Sequence, residues 1–183
     1  MMEREKWEID SSHSGIHFSV RHMVIAKVRG QFTRWSGTVV TEDAGLNGLQ
    51  VEATIDAASI ETGVAERDAH LKSADFLDTA RFPDIKFRSQ SVEKRGGEHL
   101  RVTGALIIHG VSRDVVLEVE YAGQTTDPWG NERAGFTAKT SIDRRDFGLA
   151  WNQVLEAGGL VVGDRVDIEI EVEAVKQAAL KTA

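Results

Sequence analysis

Apolar and polar residues alternate with a period of two in segment after segment of the chain, the pattern of strands with one face in a core and the other in water. The clearest run lies near the C-terminus, where Val166, Ile168, Ile170 and Val172 alternate with Asp167, Glu169, Glu171 and Glu173. Ile16, Phe18 and Val20 alternate with His17, Ser19 and Arg21, and Leu49, Val51, Ala53 and Ile55 with Gln50, Glu52, Thr54 and Asp56. The same rule groups Ile85 with Phe87, and then Leu100, Val102, Gly104, Leu106 and Ile108. It also groups Val115, Leu117, Val119 and Tyr121, and finally Ala134, Phe136, Ala138, Thr140 and Ile142. With the stretch from Val28 to Glu42, the pattern predicts about eight strands.

Short glycine-bearing connections at Lys94 to Glu98 and Gly110 to Asp114 read as hairpins, so the sheet is expected to be antiparallel. From Ala57 to Pro83 the alternation stops. Within that segment, Glu61 to Ser73 has no proline and sets Val64, Asp68 and Leu71 at helical spacing, which predicts a short helix. A second irregular stretch, Arg144 to Asp164, carries Phe147, Trp151 and Leu155. The tail after Val175 is expected to fray.

Strands of this kind bury their apolar faces either as two stacked sheets or as a closed barrel. The last strand favours the barrel: its alternation from Arg165 to Val175 spans roughly 35 Å at about 3.3 Å per residue, longer than an ordinary strand. Small inward residues (Ala53, Gly104, Ala134, Ala138) leave room inside it, and Phe76, Phe82, Phe147 and Trp151 in the irregular segments suit a cap on one end. The expected fold is all-β: an extended eight-stranded antiparallel barrel with a short helical insertion, one domain over residues 1–183 with an ordered core of about 7–175.

Composition narrows the function classes. Against 22 Lys and Arg stand 29 Asp and Glu, for a net charge of -7, and no dense basic run occurs, so nucleic acid is not an expected partner. No cysteine is present, which excludes disulfides, thiolate nucleophiles and thiolate metal sites. The N-terminal MMEREKWEID is charged where a secretory signal would be apolar, and no apolar run reaches the ~20 residues of a spanning helix. A cytoplasmic location and no membrane span are expected.

Polar motifs offer little catalytic chemistry. His13 and His17 share a strand face that His22 does not, so no metal is expected, nor any cofactor. Asp10, Ser12 and His13 have the letters of a hydrolase triad, as do Asp68, His70 and Ser73, without any nucleophile-elbow signature. Asp68 is expected to satisfy a donor such as Arg67 or His70 and to tie the helix to the barrel. The glycine-rich Ala157 to Asp164 lacks the Lys and Ser or Thr of a phosphate loop and reads as turns. No catalytic residue is expected.

In order along the chain stand WEIDSSHSGIHFSVRHM (Trp7 to Met23), VRGQF (Val28 to Phe32), SIETG (Ser59 to Gly63) and RDAHLKSADFLD (Arg67 to Asp78). RFPDIKFRS (Arg81 to Ser89), VTGALIIHGVSRDV (Val102 to Val115) and RRDFGLAWNQVLEAGGLVVGDRV (Arg144 to Val166) follow. This order resembles the YceI-like family of lipocalin-like polyisoprenoid-binding proteins. The resemblance implies a lipocalin-like barrel that binds, stores or transports a long isoprenoid-type lipid, polyprenyl or quinone-like, and a homodimer.

The residues expected to line the tunnel are Phe18, Val20, Phe32, Val51, Ile55, Phe76, Phe87, Leu106, Leu117, Val119, Phe136, Phe147, Trp151 and Ile170. Arg21, His22, Lys27, Arg144 and Arg145, basic and near the irregular segments, are the candidates for a polar head group. The alternatives are a stress-response interaction module with a packed interior and an enzyme acting on a small apolar substrate.

Overall fold

The computed structural model describes residues 4–43, 45–155 and 160–178. Its strand segments are β1 (Glu5–Ile9), β2 (Gly15–His22), β3 (Ala26–Phe32), β4 (Trp35–Thr41), β5 (Gln50–Asp56) and β6 (Ile60–Glu61). After the helix α1 (Ala65–Lys72) come β7 (Asp84–Lys94), β8 (His99–Ile108), β9 (Val111–Thr126), β10 (Glu132–Asp143) and β11 (Val162–Lys176). All pairings are antiparallel, and the order β1-β4-β5-β7-β8-β9-β10-β11 returns to β1, closing an eight-stranded barrel.

Three of the eight strands are broken into two segments. A 3₁₀ turn at Ser11–His13 separates β1 from β2, and both halves pair with β11, Trp7 opposite Lys176 and Ile16 opposite Ile170. Residues 33–34 part β3 from β4, and a 3₁₀ turn at Ala57–Ser59 parts β5 from β6. Alternation over five residues in β1 is too short to stand out, which is why the sequence pattern begins at Ile16 although Trp7 is buried.

The hairpin after β8 is tighter than expected. Val111 already pairs with Ile108, and His109 and Gly110 turn the chain with φ of 54° and 70°, the positive pair of a type I′ turn. The helix is shorter than its sequence window, and Val64 stands just outside as its N-cap. Asp68 accepts from the Thr62 backbone N–H and hydroxyl, while Arg67 donates to the same Thr62, so the helix is tied to the end of β6. The expected Arg67 or His70 partner is replaced by Thr62, six residues upstream and just before the helix.

Inward residues form one core. Trp7, Leu100, Ala134 and Ala174 fill the end of the barrel where β1 begins and β11 finishes. The opposite end is covered by α1, the segment after it, and a 3₁₀ turn at Arg144–Phe147 followed by irregular chain. Residues 179–183 of the tail, and 156–159 of the glycine-rich run, lie outside the described residues.

Candidate binding cavity

The alternating strands point their apolar side chains at one another across the barrel but do not meet everywhere. They leave an internal cavity of about 270 Å³. On β11 its wall runs from Val162 to Val172, which at about 3.3 Å per residue is roughly 33 Å along the strand. The space is therefore long and narrow. A void of that size lined by hydrocarbon costs about 6 kcal/mol if left empty, at about 24 cal/mol per Å³, and that is comparable with a whole domain's stability.

Most of the expected lining residues are in this wall. Phe18 and Val20 come from β2, Phe32 from β3, Val51 and Ile55 from β5, and Phe87 from β7. Leu106, Leu117, Val119, Phe136 and Ile170 complete the far side, and Phe76 closes the covered end. Phe147 and Trp151 are not in the wall. Phe147 is buried behind it, and Trp151 meets Phe76 at a tilt and His70 edge-on, with ring centroids 5.3 and 4.7 Å apart. The aromatic cap is thus Phe76, His70 and Trp151, whereas Phe82 turns away to meet His109 at 4.7 Å.

Several wall residues lie outside the expected set. Ile9, Trp35, Val39 and Ile60 come from the broken strands, Leu71 from the last turn of α1, and Leu77 and Leu149 from irregular segments, where no period marks a side chain as inward. The small residues behave differently from one another. Ala53 and Ala138 do open space in the wall, but Ala134 is packed outside it. At Gly104 the Phe87 ring takes the vacancy: an added Cβ would lie 2.5 Å from Phe87 Cζ and 2.6 Å from the Arg88 carbonyl oxygen.

Polar groups in the wall are few and engaged. The Thr140 hydroxyl donates to the Val116 carbonyl at 2.8 Å. Arg144 is 4% exposed, and its guanidinium N–H groups are taken by the carbonyls of Leu149, Trp151, Val162 and Gly163, with Asp164 3.4 Å from Nη2. Four of its five N–H groups donate to carbonyls, and the Asp164 carboxylate balances the charge at Nη2. Burial pulls its pKa below the ordinary arginine value, with Asp164 and Asp143 opposing that shift. Arg144 therefore ties residues 149–151 to residues 162–163 and spends its hydrogen bonds on the protein rather than on a guest.

The other basic residues expected at a head group lie outside the cavity wall. Arg145 forks onto Asp143 at 2.6 and 3.0 Å, holding that carboxyl down to about 2, and Arg21, His22 and Lys27 are exposed around the hairpin between β2 and β3.

Asp10, Ser12 and His13 do come together, but as the cap of a 3₁₀ turn. Both the Ser12 hydroxyl and Asp10 face the same His13 Nδ1, at 3.1 and 2.9 Å, so no relay from Ser through His to Asp exists. Asp10, His13 and Glu173 also have the spacing of a metal site. The Arg133 guanidinium occupies that position, 3.0 Å from Asp10 and 2.6 Å from Glu173 with Asp127 at 2.8 Å; the Ser12, His13 and Arg133 side chains together hold Asp10, and Arg133 foremost holds Asp127, well below the usual carboxylate range. Asp68, His70 and Ser73 make no triad, since Ser73 donates to the His70 backbone carbonyl. Among the described residues no helix is long and apolar enough to cross a membrane.

Comparison with known proteins agrees with this architecture. The model of the YceI-like domain matches residues 7–174. Protein YceI of Escherichia coli O157:H7 is 38% identical over 172 residues, 94% of this chain and 86% of that protein. Among solved structures, Burkholderia cenocepacia BcnA superposes with a TM-score of 0.79 at 23% identity, covering 90% of this chain and 98% of that one. A domain from Saccharophagus degradans, described as polyisoprenoid-binding and implicated in plant cell wall breakdown, superposes with a TM-score of 0.69 at 16% identity, covering 97% of this chain and 100% of that one.

Proposed function

Because the chain belongs to the YceI-like domain family, and its barrel is hollow and apolar, we propose that it binds and carries a long isoprenoid-type lipid, polyprenyl or quinone-like. The observation that supports this most is the wall itself: a cavity of about 270 Å³ in which the arginine and the threonine are already hydrogen-bonded to the protein. Such a space rewards hydrocarbon and little else. The polyisoprenoid-binding description of the Saccharophagus domain, whose likeness is one of fold, is consistent with that chemistry.

The alternatives fit less well. An interaction module with a packed interior has no use for the void, and an enzyme acting on a small apolar substrate needs converging polar groups that are free to react. We infer that the protein reads chain rather than head group. Each five-carbon prenyl unit buried contributes up to about 4 kcal/mol at ~0.8 kcal/mol per carbon, before ordering costs. Titration with linear prenyl alcohols of increasing length is the test. Affinity is expected to rise at least about tenfold per unit until the tunnel is full, and to change little when the alcohol becomes a diphosphate. Affinity independent of length, or gained only with the diphosphate, would contradict the proposal.

A further inference from the structure

The hairpin joining β2 and β3 ends in Met23, Val24 and Ile25, which are 39%, 71% and 82% exposed. Its turn is tight, with the Ile25 N–H donating to the His22 carbonyl, and Met23 and Val24 both have positive φ, 52° and 66°. That conformation suits Asn-Gly; for a β-branched valine it is strained. Residues poor for folding at this turn, yet apolar and pointed at solvent, fit a contact outside the chain. The patch is wider than the turn. Met23 donates its N–H to the Val161 carbonyl, and the neighbouring exposed Val154 and Leu160 bridge to each other.

Charge distinguishes this region from the rest of the surface. The chain carries a net -7, but no Asp or Glu occurs from Ser11 to Thr41, while Arg21, Lys27, Arg29 and Arg34 do. Arg21, Lys27 and Arg29 are exposed on the strands behind the turn. The two acids of β11 nearest the turn are engaged elsewhere, Asp164 by Arg144 and Arg145 and Asp167 by Arg165. An apolar tip backed by cations matches a bilayer surface, with hydrocarbon beneath anionic phosphates. The tip also stands at the covered end of the barrel: His22 pairs with Val162, a residue of the cavity wall.

We propose that this hairpin is a membrane-docking element: Met23, Val24 and Ile25 enter the bilayer interface, Arg21, Lys27 and Arg29 meet lipid phosphates, and the capped end of the barrel is brought to the membrane. The assignment of this end as the loading end rests on the lipid-carrier reading; the docking itself does not. Flotation with vesicles of phosphatidylcholine and a minor fraction of phosphatidylglycerol, free of any isoprenoid, tests docking alone. The full chain is expected to float with these vesicles, less so as salt rises. The variant carrying Val24→Asp and Ile25→Asp is expected to partition about a hundredfold less, about tenfold per residue, while keeping its thermal stability and its affinity for prenyl alcohol in solution. Arg21→Glu with Lys27→Glu is expected to abolish the salt dependence.

Absence of wild-type flotation, or equal flotation of the double-aspartate variant, would overturn the proposal. So would sedimentation showing that the tip joins two copies of the chain without vesicle binding. Vesicle binding by a protein that takes up no prenyl alcohol leaves docking standing and removes the carrier reading.

Discussion

Replacement of Ala138 by Phe places a ring where the cargo is proposed to lie. Ala138 is on β10 opposite Ile170 and Val119, all three in the cavity wall, and its methyl group faces open space. The new ring adds about six carbon atoms, so it excludes about six methylene-sized groups of a guest that fills the tunnel, at ~0.8 kcal/mol each. The loss is up to about 5 kcal/mol, or more than a thousandfold in affinity, and less if the chain slides aside. The same ring fills part of a void worth about 6 kcal/mol when empty, so the lipid-free variant is expected to unfold at the same or higher urea concentration than the lipid-free parent. Affinity is read by displacement of a fluorescent prenyl probe and stability by urea titration of delipidated protein. Ala138→Phe that binds with unchanged affinity while remaining stable would refute the reasoning, because the lipid would then sit elsewhere.

Three further outcomes follow from the geometry. Thr41 is 1% exposed and its hydroxyl has no hydrogen-bond partner among the described residues, so Thr41→Val is expected to stabilise the fold by about 1 kcal/mol in urea denaturation. Arg144→Lys keeps a charge but abandons most of the carbonyls that hold residues 149–151 and 162–163; a loss of about 3 kcal/mol and faster amide exchange at those residues are expected, and unchanged exchange would contradict the clamp. Hydrogen bonds from Ser12, His13 and then Arg133 lower the pKa of Asp10, and Arg133 foremost lowers that of Asp127, so both bind protons less readily folded than unfolded. Their contribution is present above the ordinary carboxylate range and is lost as pH falls below about 4. Thermal melts are expected to show that acid loss in the parent and a flatter profile in Arg133→Met.

Much of this was legible from period alone. β8 alternates over its ten residues and β11 from Arg165 to Val175, so a slip of one would invert too many side chains to be tolerated, and their apolar positions face inward as the period requires. The length of β11 points to closure. What resisted reading was of two kinds. Trp7 and Ile9 lie in a segment too short to show a period, and Leu77 and Leu149 sit where the chain is irregular and only tertiary packing turns them inward. Arg144 shows the second limit: a sequence displays a cation near a cavity, but not the carbonyls that consume its donors. Gly104 shows it too, since only the folded chain lays the Phe87 ring across the small residue.

Native mass spectrometry of the purified chain, with extraction and identification of anything bound, tests the carrier account most directly. The account predicts a stoichiometric mass addition that extracts as a long prenyl or quinone-like lipid and disappears in Ala138→Phe. A chain that arrives bare, stays as stable as any filled barrel, and takes up no prenyl alcohol when offered would contradict it.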